Sequence, residues 1–144
     1  MKRIDIGSGG GRRPAAGYDM YTDVNMPKVP PEPFVQCPME KMPFGDHEFD
    51  WARCHHVIEH VQDPDLACSE LIRIAKAGLL SFPPPQAELM FGRRDHNWFV
   101  FVDRNRLLFV RKRHPSYGVP RSETRCQLNV DFEWNGTFEW QVVR

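Results

Sequence analysis

The stretch Arg3-Ile4-Asp5-Ile6-Gly7-Ser8-Gly9-Gly10-Gly11 decides how the rest of the chain is read. A short apolar run stops abruptly at a cluster of glycines, which predicts a strand ending in a tight loop. Glycine permits positive φ and lets backbone approach a ligand closely. After the first strand of an open α/β sheet, such a loop lies where nucleotide ligands bind. The phosphate-cradling pattern G-x-x-x-x-G-K-[ST] is absent, since no Lys-Ser or Lys-Thr follows. The dinucleotide pattern G-x-G-x-x-G fails at Arg12. The spacing that fits is D-x-G-x-G-x-G, with Asp5, Gly7, Gly9 and Gly11.

Outward from that loop the pattern alternates. A second strand is predicted from Tyr18 to Val24, followed by a loop rich in proline (Pro27, Pro30, Pro31, Pro33), which forbids helix and central strand alike. Phe34 to Cys37 reads as a third strand, Pro43 to His47 as a turn, and Phe49 to His55 as a buried fourth strand. Asp63-Pro64 supplies an N-cap with proline at the first helical position. The helix then carries Leu66, Leu71, Ile72 and Ile74 or Ala75 on its apolar stripe, and Gly78 is expected to close it. Leu79 to Phe82 makes a fifth strand, stopped by Pro83-Pro84-Pro85. This is an α/β order with a mostly parallel sheet. Beyond it, residues 98–102 and 107–110 flank a turn and predict a hairpin. Asn135-Gly136, between Phe132-Glu133-Trp134 and Thr137-Phe138-Glu139-Trp140, predicts a second. The tail is thus expected to be β-rich and antiparallel.

Composition bounds the function. The chain has 144 residues, which suits a single domain, with residues 1–85 as a core and 86–144 as a β-rich tail. Nineteen basic residues balance nineteen acidic ones, which argues against a nucleic-acid partner. No apolar run approaches the length of a membrane span and no leader is evident, so a cytoplasmic location is expected. Four scattered cysteines without a CxxC pair fit reduced thiols. For an enzyme the chain is short, and thirteen Pro with ten Gly suggest a trimmed version of something larger.

The glycine loop resembles motif I of the class I, Rossmann-like S-adenosylmethionine-dependent methyltransferases, in the small-molecule, type 11-like branch. Three further stretches resemble that family in the right order. Met42-Pro43-Phe44 through Phe49-Asp50 is similar to its turn before the fourth strand; His56-Val57-Ile58-Glu59-His60 is similar to its histidine-valine-leucine-glutamate-histidine stretch; and Ser69 to Gly78 is similar to its following helix and turn. The resemblance covers roughly residues 3–83. It implies that Asp5, Gly7, Ser8, Gly9 and Gly11 form the loop around the methionine part of S-adenosylmethionine. It implies that Asp23 holds the ribose, and that the backbone at Met39 or Glu40 contacts adenine in place of an aspartate the family often carries. His55 belongs to the same cofactor edge. The product would be S-adenosylhomocysteine.

The chain also departs from the family. The segment after the glycine loop is too short for the usual helix, giving a minimal Rossmann-like sheet whose last third is rebuilt as strands. His55 and His56, at the end of the fourth strand, are the candidate catalytic residues. A neutral histidine there is able to take a proton from an oxygen or nitrogen nucleophile, and the alternative for each is a structural hydrogen bond. Glu59, His60, Arg93, His96 and Trp98, with Arg94, are the candidate residues for a small-molecule or sugar acceptor. A non-catalytic cofactor- or partner-binding domain is the competing reading, with a homodimer through the C-terminal hairpins. His56 to His60 also spells H-x-x-E-H, a zinc peptidase pattern, which would require both histidines on one helix face and a third ligand such as His96 or Glu88. The position of the stretch after a buried strand favours the methyltransferase context, and no metal is expected.

Overall fold

The computed structural model describes residues 1–8, 15–113 and 129–144. Six strands form the main sheet: β1 (Arg3–Ile6), β2 (Met20–Asp23), β3 (Phe34–Gln36), β4 (Trp51–His55), β5 (Ala77–Phe82) and β8 (Val130–Asn135), in the order β3-β2-β1-β4-β5-β8. The first five are parallel and β8 runs antiparallel to β5. The strand order turns back between β1 and β4. In an open α/β sheet that is the switch point, where a crevice opens beyond the carboxyl ends of the strands. The α/β, mostly parallel reading therefore holds. Of the segment after the glycine loop, residues 15–19 contain no helix, and residues 9–14, including Gly9 and Gly11, lie outside the described residues.

Helix α1 (Pro64–Ile74) begins as expected: the Asp63 carboxylate accepts from the N–H groups of Asp65 and Leu66. Its buried face carries Pro64, Ala67, Cys68, Leu71 and Ile74. Leu66, expected on that stripe, is 53% exposed, because the small residues Ala67 and Cys68 take the inward positions against the sheet. Gly78 does not close the helix. The helix ends at Ile74 with an extended Ala75, and Gly78 lies within β5. A Cβ at Gly78 would overlap the Ala52 carbonyl oxygen and press on the Trp134 indole, so close packing in the sheet is what requires glycine here.

Pro83-Pro84-Pro85 ends β5 as expected and also starts a second helix, α2 (Pro85–Phe91). Proline is favoured at the first helical position, so the same residues that stop a strand open a helix. A second sheet holds β6 (Trp98–Asp103), β7 (Arg106–Arg111) and β9 (Glu139–Val143), in the order β6-β7-β9. The β6–β7 hairpin is as predicted, with Arg104 at positive φ in its two-residue turn.

The second predicted hairpin does not form. β8 pairs with β5 in the main sheet, while β9 runs parallel to β7 in the other, so the tail is not purely antiparallel. Asn135-Gly136 instead carries the chain from one sheet to the other, with the Gly136 N–H bonded to the Lys76 carbonyl at 2.8 Å. The open edges of β5 and β7 offered more pairing and burial than a two-stranded hairpin would. Phe138 is buried at the crossing, its ring 5.4 Å from Phe132, 5.6 Å from Trp134 and 5.9 Å from Trp140. Trp140 also donates to the Asp65 carboxylate at 2.8 Å, docking β9 on the start of α1. No helix among the described residues is long and apolar enough to cross a membrane.

Candidate functional site

Two adjoining cavities open at the switch point. One, about 210 Å³, is walled mostly by apolar groups, among them Ile6, Cys37, Met39, Val57 and Val61. The other, about 270 Å³, is walled by polar ones, among them His55, His56, Arg93, Asp95 and His96. Gly7, Asp23, Val24, Val57 and His60 border both, so these are two lobes of one cleft. An apolar cleft with a few convergent polar groups is the usual form of a small-molecule site.

The floor of the cleft is built by β1. Gly7 has φ of 83°, and a Cβ there would overlap the Val57 side chain. Its N–H bonds the Thr22 carbonyl at 2.7 Å, which draws the loop toward β2. Asp5, in β1, is 1% exposed. One of its carboxylate oxygens accepts from Arg53 Nη1 at 2.9 Å and the other from the Ala15 N–H at 3.1 Å, so it braces the two ends of the loop region. The Ser8 hydroxyl is turned onto the Thr22 carbonyl and does not border either lobe. Asp23 ends β2, is buried, and stands between the lobes, with one oxygen accepting from the Asn25 N–H at 2.8 Å.

Met39 and Glu40 border the apolar lobe. Glu40 also accepts from the Gln62 N–H at 2.7 Å, which ties the loop after β3 to the loop after β4 across that lobe. His55 ends β4, and its ring packs edge-on to His56 at 4.6 Å. His56, at φ of 55°, uses both ring nitrogens: one meets Glu59 Oε1 at 3.1 Å and the other Asn129 Oδ1 at 2.9 Å. Its geometry is that of a residue orienting Glu59. Residues 56–60 form a turn rather than a helix, so the H-x-x-E-H peptidase arrangement, which needs both histidines on one helix face, is not present.

The backbone of this turn is clamped to the start of β6. The N–H groups of Asn97 and Trp98 bond the Glu59 carbonyl at 2.7 and 3.2 Å, and Asn97 Nδ2 bonds the His60 carbonyl at 2.7 Å. Trp98 is 1% exposed and donates its indole N–H to the Val61 carbonyl at 2.7 Å. It is a core residue holding the turn, not a wall of the polar lobe; an aromatic between charged residues looks alike in sequence whichever way it points. Arg93 borders the polar lobe with its guanidinium on Asp95, and Arg94 is exposed. His96 borders the lobe while its ring is almost fully buried. Burial, then the neighbouring His96, hold His60 below its ordinary range, so it is neutral near pH 7.

Glu88, which the sequence offered only as a third ligand for zinc, and Lys112 stand behind this wall. Glu88 of α2 accepts from His96 Nδ1 at 2.6 Å and from Lys112 Nζ at 2.5 Å, all three side chains being buried. Burial would raise Glu88, but the bonds from His96 and Lys112 outweigh it and hold the carboxyl below its ordinary range. The signal for this trio was the Pro85 helix start, which turns Glu88 inward.

The sequence profile of a family described as a methyltransferase domain matches residues 4–82, more than half of the chain. Among curated proteins none shows significant sequence similarity. Three solved structures share parts of the fold. A protein from Pyrococcus horikoshii OT3 is 16% identical over 69% of this chain and 61% of its own, with a TM-score of 0.48. An SAM-dependent methyltransferase from Methanosarcina mazei is 19% identical over 72% and 66%, at 0.47. An S-adenosylmethionine-dependent methyltransferase from Mesorhizobium loti is 14% identical over 78% and 57%, at 0.48. The chain thus spans about three fifths of the length of these structures. With its profile match running from β1 through β5, the chain belongs to the class I methyltransferase family, type 11 branch, whose cofactor is S-adenosylmethionine.

Proposed function

We propose that this chain holds S-adenosylmethionine across the two lobes and transfers its methyl group to a small-molecule or sugar-like acceptor that enters the polar lobe. The observation that carries this reading is the wall shared by the lobes: Gly7, packed so tightly on Val57 that it admits no side chain, and Asp23, which borders the same two lobes. The backbone at Gly7 and the apolar lobe suit the methionine and adenine ends of the cofactor respectively. The bound cofactor supplies a methyl group activated on a sulfonium centre.

The residues of the chain then position and exclude. Gly7 with the loop beyond it receives the methionine part, and Asp23 accepts from the ribose hydroxyls. Met39, Val57 and Val61 cover the adenine face, and the Glu40–Gln62 bond keeps that lobe closed on one side. Methyl transfer is an in-line displacement, so alignment in a dry site supplies most of what it requires. His55, which ends β4 and borders the polar lobe, is the residue proposed to take the acceptor's proton. Arg93 and His60 border the space left for the acceptor and favour an oxygen-bearing molecule. Residues 1–144 act in this reading as one domain in the cytoplasm. Of the two C-terminal hairpins expected to carry a homodimer, β6–β7 forms and the Asn135-Gly136 hairpin does not, so the homodimer reading rests on the second sheet, where Phe101, Val102 and Val143 are exposed.

Calorimetric titration with S-adenosylmethionine and S-adenosylhomocysteine tests the proposal. Binding in the range of about 1 μM–1 mM, usual for enzyme substrates, is expected for the unaltered chain. It is expected to be lost in Asp23→Ala with the fold retained. A folded protein that binds neither ligand rejects the reading. Binding without transfer to any acceptor would favour the non-catalytic alternative.

A further inference from the structure

Glu59, His60 and His96 each offer one metal-ligating atom, and these atoms lie within 4.8 Å of one another. Glu59 is 1% exposed, one of its oxygens is held by His56, and the other, Oε2, is buried with no hydrogen-bond partner among the described residues. An orphaned carboxylate oxygen in a protein interior is costly and uncommon. The two histidines beside it are already oriented. His60 Nδ1 donates to the Asp95 carbonyl at 3.1 Å and His96 Nδ1 donates to Glu88 at 2.6 Å. With Nδ1 bonded in each ring, Nε2 is the nitrogen that a cation would take. A histidine whose second nitrogen bonds a carbonyl or carboxylate is the arrangement found around protein-bound metals.

We propose that Glu59, His60 and His96 bind one divalent transition-metal cation of the zinc class in the wall of the polar lobe. Two imidazoles and one carboxylate suit zinc and its neighbours, whereas magnesium and calcium prefer all-oxygen shells. Ligands around a tetrahedral ion at ~2.0–2.1 Å stand about 3.3 Å apart. Closing the three onto a cation therefore takes only small side-chain rotations. The surroundings hold them near that geometry: the Glu59 and His60 backbones are clamped by Asn97 and Trp98, Glu59 is oriented by His56, and His96 by Glu88. The His60 and His96 rings already pack edge-on at 4.4 Å. Three protein ligands leave a fourth position, and since His60 and His96 both border the polar lobe, that position would take an oxygen from water or from an acceptor there. The site differs from the H-x-x-E-H peptidase arrangement: His56 is an orienting residue, Glu59 a ligand, and His96 comes from a distant part of the chain. It shares the wall of the proposed acceptor space but does not depend on the methyl-transfer reading.

The test is a titration of tag-free, chelator-stripped protein with Co²⁺, followed through its visible ligand-field absorption, then competition with Zn²⁺ and metal analysis by mass spectrometry. One Co²⁺ per chain, displaced by one Zn²⁺, is expected. Glu59→Gln and His60→Ala should each weaken binding by at least roughly 100-fold, more than the loss of an outer partner usually causes. Circular dichroism and melting curves establish that the variants are folded. His60 is partly exposed, so its removal leaves the buried Glu88 network intact. Absence of saturable Co²⁺ binding to the unaltered chain overturns the proposal whatever the variants do. So does binding that both folded variants retain, or saturation by Mg²⁺ alone. S-adenosylmethionine titrated into the metal-free protein in parallel keeps the two readings separate: its failure to bind would remove the methyltransferase reading and leave the cation site standing.

Discussion

Gly7 and Val57 meet across the switch point so closely that a Cβ on Gly7 would overlap the Val57 side chain. Gly7 also sits at φ of 83°, where an L-residue is strained by roughly 1–2 kcal/mol. Gly7→Ala should lower stability by at least that amount and abolish S-adenosylmethionine binding. The double change Gly7→Ala with Val57→Ala removes the overlap but not the backbone strain, so it should recover stability only in part. Melting curves and calorimetry on the three variants check this. Unaltered affinity in Gly7→Ala would show that Gly7 does not border the cofactor.

Asp5 braces the loop through Arg53 and the Ala15 N–H. Asp5→Ala leaves that N–H without its acceptor and should destabilise the fold by about 1–3 kcal/mol, the usual cost of an unsatisfied buried group. Arg53 is partly exposed and can turn to water, so the larger penalty of a fully buried pair is not expected. Denaturant unfolding measures the change, and a loss below about 0.5 kcal/mol would contradict the bracing role.

Trp98→Phe keeps the packing against Phe109 but deletes the donor to the Val61 carbonyl. It should cost about 1–3 kcal/mol. It should also loosen the Glu59–His60 turn, seen as faster amide exchange at Asn97 and residue 98. If instead stability is unchanged and only acceptor preference shifts, Trp98 reaches the acceptor after all.

Glu70 binds Arg73 through both carboxylate oxygens and accepts from the Met42 N–H at 2.8 Å. The Arg73 hydrogen bond holds its carboxyl below the ordinary value of 4.5, against a smaller opposing effect of burial. A carboxyl lowered by folding stabilises the protein above its unfolded value, and that stabilisation is lost as pH falls through the folded one. Glu70→Gln should therefore melt below the unaltered chain at pH 7, by about 0.5–1.5 kcal/mol. The gap should begin to close near pH 4.5 and vanish in stronger acid. A gap independent of pH would exclude the linkage.

Among the described cysteines, Cys54 and Cys68 are wholly buried, and burial pushes both thiols well above their ordinary range. Cys37 is 9% exposed and is raised less, with Thr22 Oγ1 2.8 Å from its sulfur. Thiolate is the reactive form. Iodoacetamide labelling of the native protein, read by peptide mass spectrometry, should modify Cys37 before Cys54 and Cys68. Equal rates at all three would indicate an open core.

Local signals were legible wherever one segment alone determined the outcome. The strand before Gly7 and the Asp63-Pro64 helix start could be read this way because their chemistry is short-range. Asp63 caps α1, and a glycine is needed where the chain turns at positive φ. Signals with two solutions misled. Gly78 is compatible with a helix end or with close strand packing, and only the Ala52 carbonyl opposite decides. Asn135-Gly136 is compatible with a hairpin or a crossing, and the free edges of β5 and β7 decide.

The candidate site divides along the same line. The sequence by itself determined the Rossmann-like core and the nomination of Gly7, Asp23, His55 and His60, because these follow strand ends whose positions a parallel sheet dictates. Tertiary structure decided which side chains meet. It turned Trp98 into the core, engaged both nitrogens of His56, and brought His96 from the start of β6 to Glu59 and His60 after β4. Those encounters depend on how α2 and the second sheet pack on the first. That packing is set by buried area and backbone hydrogen bonds between distant segments, which no local pattern encodes.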